Sequence, residues 1–284
     1  MKNTSFPLAA LPVNVPAADT PPMPLDKRVI GERNRTDVLT WLGRFGWLTS
    51  RMVAALVWPD AAQAQVMARR TIKTLADEKL IIARPLPNGA SAYLLSAKGA
   101  RLLNEQTGVV AESGNALALG NPVHRACSNW YLIRAVQQGY SIVTEHEIAS
   151  ERGPCRDIKG KQADGLVIAD GGACIWLECE HSAKSRPERH KTVALVQECF
   201  GSDQRVEIAP GFWLARLAVV ATNEPALRWM AASFMDAHRN GQVRDSQVAE
   251  VDVCLLPISK SLVPGDAVDG SLWWDVLVPA LADD

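Results

Sequence analysis

The chain has 284 residues, 48% of them hydrophobic, and a net charge of -1, which suits two globular cores and excludes a disordered or fibrous polymer. No apolar run has the length of a bilayer crossing, and prolines interrupt the first 24 residues, so 1–30 read as a disordered Pro/Ala-rich leader rather than a signal peptide. The six cysteines contain no C-x-x-C pair, which fits a reduced, cytoplasmic protein.

Charge is unevenly spread. Residues 27–106 carry 13 Lys+Arg against 6 Asp+Glu, whereas 107–284 carry 16 against 23. A basic front suggests nucleic acid, and an acidic rear suits cation binding.

In the front, Val38, Leu39, Trp41, Leu42 and Phe45 recur at helical spacing and predict a first helix over 32–46. Thr49 caps a second helix, Ser50 to Val57, and a third is expected over 61–78. On the third, Ala68, Ile72 and Leu75 face inward, leaving Arg69, Arg70 and Lys73 outward with Gln65 a turn earlier. Two apolar runs, 80–84 and 92–95, flank Asn88-Gly89, a strong hairpin signal, and a helix over 97–105 follows. Three helices and a hairpin make a winged helix-turn-helix (31–107). Double-stranded DNA is the expected partner, through Gln65, Arg69, Arg70, Lys73 and, on the wing, Arg84. A solvated basic face, or a winged helix used for protein contacts, is the plainer alternative.

A low-complexity linker (108–121) leads to a rear domain (122–262) and an acidic tail (263–284) that carries Trp273-Trp274. The rear opens with a helix from Pro122, followed by a strand over 141–147. Next come a strand starting at Asp164, a turn at Asp170-Gly171-Gly172, and a strand ending in Glu178-Cys179-Glu180. Trp176, Glu178 and Glu180 share one strand face; Ile175, Leu177 and Cys179 share the other. A helix over 185–200, a buried strand over 212–221, a helix over 225–239 that Asn223 caps or precedes, and a strand over 248–258 complete an α/β (α+β) domain with a mixed sheet. Asp164 folded back towards Glu178 and Glu180 gathers carboxylates at one sheet edge. Hard oxygen ligands of that kind suit Mg²⁺ or Mn²⁺ and phosphodiester hydrolysis. The bland alternative is a hairpin ending in solvated acids. A glycine-rich phosphate loop is absent, and no His-x-His accompanies the three tyrosines as a tyrosine relaxase would require.

The order of rear elements resembles that of the PD-(D/E)XK, restriction-endonuclease-like superfamily, with Asp164 and Glu178 matching its acids. Glu180 stands at the lysine position, with Lys184 four residues on as a displaced ammonium and Glu145 or Glu147 as an additional acid. Over about 32–260 the chain is similar to the replication-relaxation family, which includes MobC-type plasmid and conjugative-element mobilisation relaxases. The resemblance rests on Tyr93-Leu-Leu-Ser-x-Lys-Gly99, His124, Glu145-His-Glu147, Ala163-Asp164 and Leu177-Glu-Cys-Glu-His-Ser-Ala-Lys184.

That resemblance implies a relaxase or relaxosome component acting at an origin of transfer. Asp164, Glu178, Glu180 and Lys184 would be catalytic, and Asp164, Glu178, Glu145 and Glu147 would hold the ion. Relaxosome or coupling proteins and a second copy of the chain are the implied partners, with no membrane. The alternative is a winged-helix regulator of plasmid replication or transfer, its nuclease-like domain inactive and used for dimerisation or partner binding.

Overall fold

In the front half, three helices pack around an apolar stripe and a two-stranded hairpin closes them. The computed structural model describes residues 26–108, 110–158, 160–182, 186–201 and 205–265. The leader up to residue 25, Lys184 and the tail beyond residue 265 lie outside them.

Helix α1 (Lys27–Phe45) begins earlier than periodicity alone predicts, because the Asp26 side chain caps it by accepting from Arg28 N (3.0 Å). It ends where Gly46 turns to φ 76, a conformation open to glycine. Helix α2 (Ser50–Val57) is capped by Thr49, as the sequence predicts. Helix α3 (Ala64–Asp77) starts after two tight turns over 58–64. Strands β1 (Ile81–Pro85) and β2 (Ser91–Leu95) pair antiparallel, Ile81 opposite Leu95 and Pro85 opposite Ser91. Leu48 and Tyr93 exchange backbone bonds, which ties the α1–α2 turn to the hairpin. Helix α4 (Ala97–Thr107), capped by Ser96, follows.

The rear half is built on a six-stranded mixed sheet. Helix α5 (Pro122–Gln137) leads into β3 (Ser141–Thr144), α6 (Glu145–Ala149), β4 (Gly165–Ile168) and β5 (Ala173–Glu180). Helix α7 (Arg186–Cys199), β6 (Val206–Ala209), β7 (Phe212–Ala221), α8 (Glu224–Arg239), α9 (Asp245–Val248) and β8 (Val251–Leu255) complete it. Strands β3, β4 and β5 are antiparallel neighbours; β5, β7 and β8 run parallel. Strand β6 joins β7 antiparallel at Phe212–Leu214, ahead of the Leu217–Ala221 stretch that β8 occupies.

The two faces of β5 feed two cores. Leu177 and Cys179 pack with Ala126, Cys127, Leu132 and Ile133 of α5, while Trp176 packs with Val196 of α7 and Leu227 and Met230 of α8. The sheet is therefore covered on both sides, which an α/β core with parallel strands requires. The front-half core belongs to the same cluster as the α5 side of the sheet.

Two local expectations are corrected, and one strand was not anticipated. The strand expected over 141–147 ends at Thr144, because Thr144 and Glu147 form a reciprocal capping box that starts α6. The strand expected over 248–258 shortens to β8, its first residues being taken into α9 and the turn behind it. Strand β6 carries too weak an alternation to be anticipated. Among the described residues, no helix is long and apolar enough to cross a membrane, and all six cysteines are free.

Candidate metal centre and basic helix face

Three polar side chains meet at the sheet edge where β3 and β5 end and β4 begins. Thr144 pairs with Gly165 and Gly165 with Leu177, so Glu145, Asp164 and the end of β5 fall at one edge. Asn121 caps α5 by accepting from Val123 N (3.0 Å) and His124 N (3.3 Å), which sets His124 in its first turn above that edge.

One ligand atom each of His124, Glu145 and Asp164 lie within 4.8 Å of one another, and all three side chains are half-buried. His124 Nε2 is 3.3 Å from Asp164 Oδ2, which also accepts from Cys179 N at 2.7 Å. Glu145 pairs with the Arg125 guanidinium. Nearby, His181 Nδ1 lies 2.7 Å from Thr222 Oγ1, and its carbonyl accepts from Asn223 Nδ2 at 2.7 Å. Burial, and then the neighbouring His124, depress the His181 pKa. A neutral imidazole is the form that ligates metals.

The sequence-predicted acids separate here. Asp164 and Glu145 belong to the convergent group; Glu178, Glu180 and Glu147 do not. Glu178 is buried, with Oε1 accepting from Trp176 Nε1 (2.8 Å) and Oε2 against Lys161 Nζ (2.6 Å). Glu180 is also buried, and its carbonyl accepts from Thr222 N (2.8 Å). Glu147 is taken up by structure: Oε1 accepts from Arg44 Nε (2.7 Å) and Oε2 from Thr144 N (2.9 Å). In this position it closes the capping box of α6 and lies outside the convergent group. Lys184, the expected ammonium, lies outside the described residues.

The acids alone do not point to His124 as a ligand. Its signal was modest: a histidine in the first turn after an Asn-Pro helix start. Lys161, three residues before Asp164, had no periodic signal, and neither did Arg125.

On α3, Arg69, Arg70 and Lys73 are exposed, opposite buried Ala68, Ile72 and Leu75. Among the described residues, no acid forms an ion pair with any of the three. Gln65 donates from Nε2 to Ser50 Oγ (2.9 Å), and its burial is intermediate. The Arg84 guanidinium donates to the Asn115 and Leu117 carbonyls and so clamps the connecting segment. No family model, curated protein or solved structure matches the chain.

Proposed function

We propose that this is a DNA-binding protein of a mobile element whose sheet domain cleaves a phosphodiester with a divalent cation, nicking or relaxing DNA at an origin of transfer. The observation that carries this reading is the His124–Glu145–Asp164 group, ligand atoms within 4.8 Å of one another from α5, the start of α6 and the residue ahead of β4. Two arrangements support it. The order α1–α2–α3–β1–β2 is that of a winged helix, with a basic face on α3 open to a duplex. The order α5–β3–β4–β5–α7–β7, antiparallel as far as β5 and parallel from β5 to β7, is the core order of restriction-endonuclease-like nucleases.

The donor set, one imidazole nitrogen and two carboxylates, fits Mn²⁺ better than Mg²⁺, whose preference is for oxygen alone. A bound ion would polarise the scissile phosphate and lower the pKa of the attacking water. The chain's own residues do the rest. Cys179 N orients the Asp164 carboxylate, and Arg125 balances the charge of Glu145. Cytoplasmic placement, and partners such as relaxosome proteins or a second copy, belong to the same reading.

The rival is a winged-helix regulator with an inactive rear domain, and one observation favours it: both Glu178 oxygens are engaged by neighbours. The test is incubation of supercoiled plasmid carrying the adjoining intergenic DNA with Mn²⁺ or Mg²⁺, wild type beside Asp164→Asn. Nicked product that needs metal and Asp164 supports cleavage. A gel shift with the plasmid still supercoiled favours the regulator.

A further inference from the structure

The connection between the halves is where two-domain proteins bend, and here it is pinned at both ends. Asn104 and Ala111 exchange bonds (Asn104 Nδ2 to Ala111 O 3.2 Å; Ala111 N to Asn104 Oδ1 2.7 Å). Arg84 holds the Asn115 and Leu117 carbonyls, and Gly114 sits so close to β2 that an added Cβ would lie 2.6 Å from Leu94 Cβ. One apolar cluster runs from Leu42, Phe45 and Trp47 through Cys127 and Leu132 to Leu177 and Val220, from α1 to the sheet without a break.

Polar contacts cross the same seam. Asn129 Nδ2 donates to Trp47 O (3.2 Å), Gln137 Nε2 to Ala55 O (2.9 Å) and Arg152 Nη2 to Gly43 O (3.3 Å). At Gly46 an added Cβ would lie 2.9 Å from His146 Cγ, so α6 abuts the end of α1. Arg44 is the hub. It lies over the Trp41 ring (5.1 Å), donates from Nε to Glu147 Oε1 (2.7 Å) and from Nη2 to Ile142 O (2.6 Å), and its own carbonyl accepts from Thr144 Oγ1. Ile142, Thr144 and Glu147 bracket Glu145, a member of the metal group.

We infer that the two halves form one body, with Arg44 as the positioning residue that sets Glu145, and thereby the metal group, at a fixed offset from the base pairs under α3. What is cut at that offset rests on the function proposed above; the rigidity does not. A continuous apolar core and a bidentate guanidinium resist sliding, because any displacement leaves buried donors and carbonyls unsatisfied. The consequence is specificity of register: strand cleavage at one phosphodiester, at a set distance from the recognised sequence.

Two measurements on the full chain test it. Scanning calorimetry of the wild type is expected to give one cooperative transition; two separate transitions overturn the single body. End-labelled DNA carrying the binding site is expected to be cut at one position by the wild type, and still at that position after a Gly-Ser insertion behind Gly120, whose surroundings are open. The same insertion combined with Arg44→Ala is expected to spread the cut over neighbouring phosphodiesters while the DNA footprint stays put. Where that variant fails to fold, Arg152→Ala takes the place of Arg44→Ala with the same expectation. Scattered cuts by the wild type, or an insertion alone that moves the cut, overturn the inference. A wild type that binds without cutting sinks the nuclease reading and leaves calorimetry to decide the rigid body.

Discussion

The Lys161 ammonium lies 2.6 Å from Glu178 Oε2, and both side chains are almost wholly buried. The β5 carboxylate thus receives its cation from the loop ahead of Asp164 and not from its own strand, where Glu180 stands two residues on. The pair has left water, so its net worth depends on geometry, and Trp176 Nε1 satisfies the other Glu178 oxygen at 2.8 Å. Removing one partner is far more damaging than removing both. Lys161→Met is expected to cost roughly 3–5 kcal/mol by taking the ammonium away from a buried carboxylate. The double variant Lys161→Met/Glu178→Leu should recover most of that loss. Urea unfolding of the three proteins measures it.

The candidate metal group of His124, Glu145 and Asp164 carries a prediction about ion preference. His124 supplies its nitrogen donor and Asp164 one of its carboxylates. His124→Gln should weaken Mn²⁺ binding more than Mg²⁺ binding, since an imidazole nitrogen suits the transition metal. Asp164→Asn should weaken both. Titration calorimetry, or the Mn²⁺ paramagnetic resonance signal, reads the difference without any DNA present.

The exposed face of α3 predicts a salt dependence. Each of Arg69, Arg70 and Lys73 that contacts a phosphate contributes about 0.9 to the slope of log affinity against log salt concentration, so replacement by Ala should lower the slope by about that much. Gln65→Ala and Arg84→Ala should leave the slope unchanged, because Gln65 is bonded to Ser50 and Arg84 to the 115 and 117 carbonyls. Fluorescence anisotropy across a salt series checks all five.

The Thr144–Glu147 capping box starts α6 beside the metal group. Thr144→Ala should cost about 0.5–2 kcal/mol, the range of an N-cap loss, and Thr144→Ser should retain most of the stability. Chemical denaturation measures both.

Cys174 is buried, its thiol donates to Gly172 O (3.5 Å), and burial with Cys155 nearby pushes its pKa up to about 11. The folded state therefore favours the thiol. Its contribution to stability is complete below the unfolded value of about 8.5 and declines as pH rises through about 11. Cys174 should resist iodoacetamide at pH 8 until the chain unfolds, and mass-spectrometric mapping of the label tests this.

Much of the fold was legible because its signals are local. The Thr49 and Asn223 caps, the Asn88-Gly89 turn and the strand Phe212–Ala221 need only neighbouring residues to form. The alternation of Trp176, Glu178 and Glu180 against Leu177 and Cys179 likewise determined which side chains share a face, since a strand turns every second residue the same way. The end of β3 is local too, a Thr-x-x-Glu capping box, yet the strand was expected to run on to residue 147 and stops at Thr144. Only the tertiary structure decided which carboxylates meet. Periodicity names a face but not the partner strand, the register or the counterion that arrives from elsewhere. Pairing of β3, β4 and β5 brought Glu145 and Asp164 to one edge, α5 lowered His124 onto them, and a loop lysine supplied the counterion of Glu178.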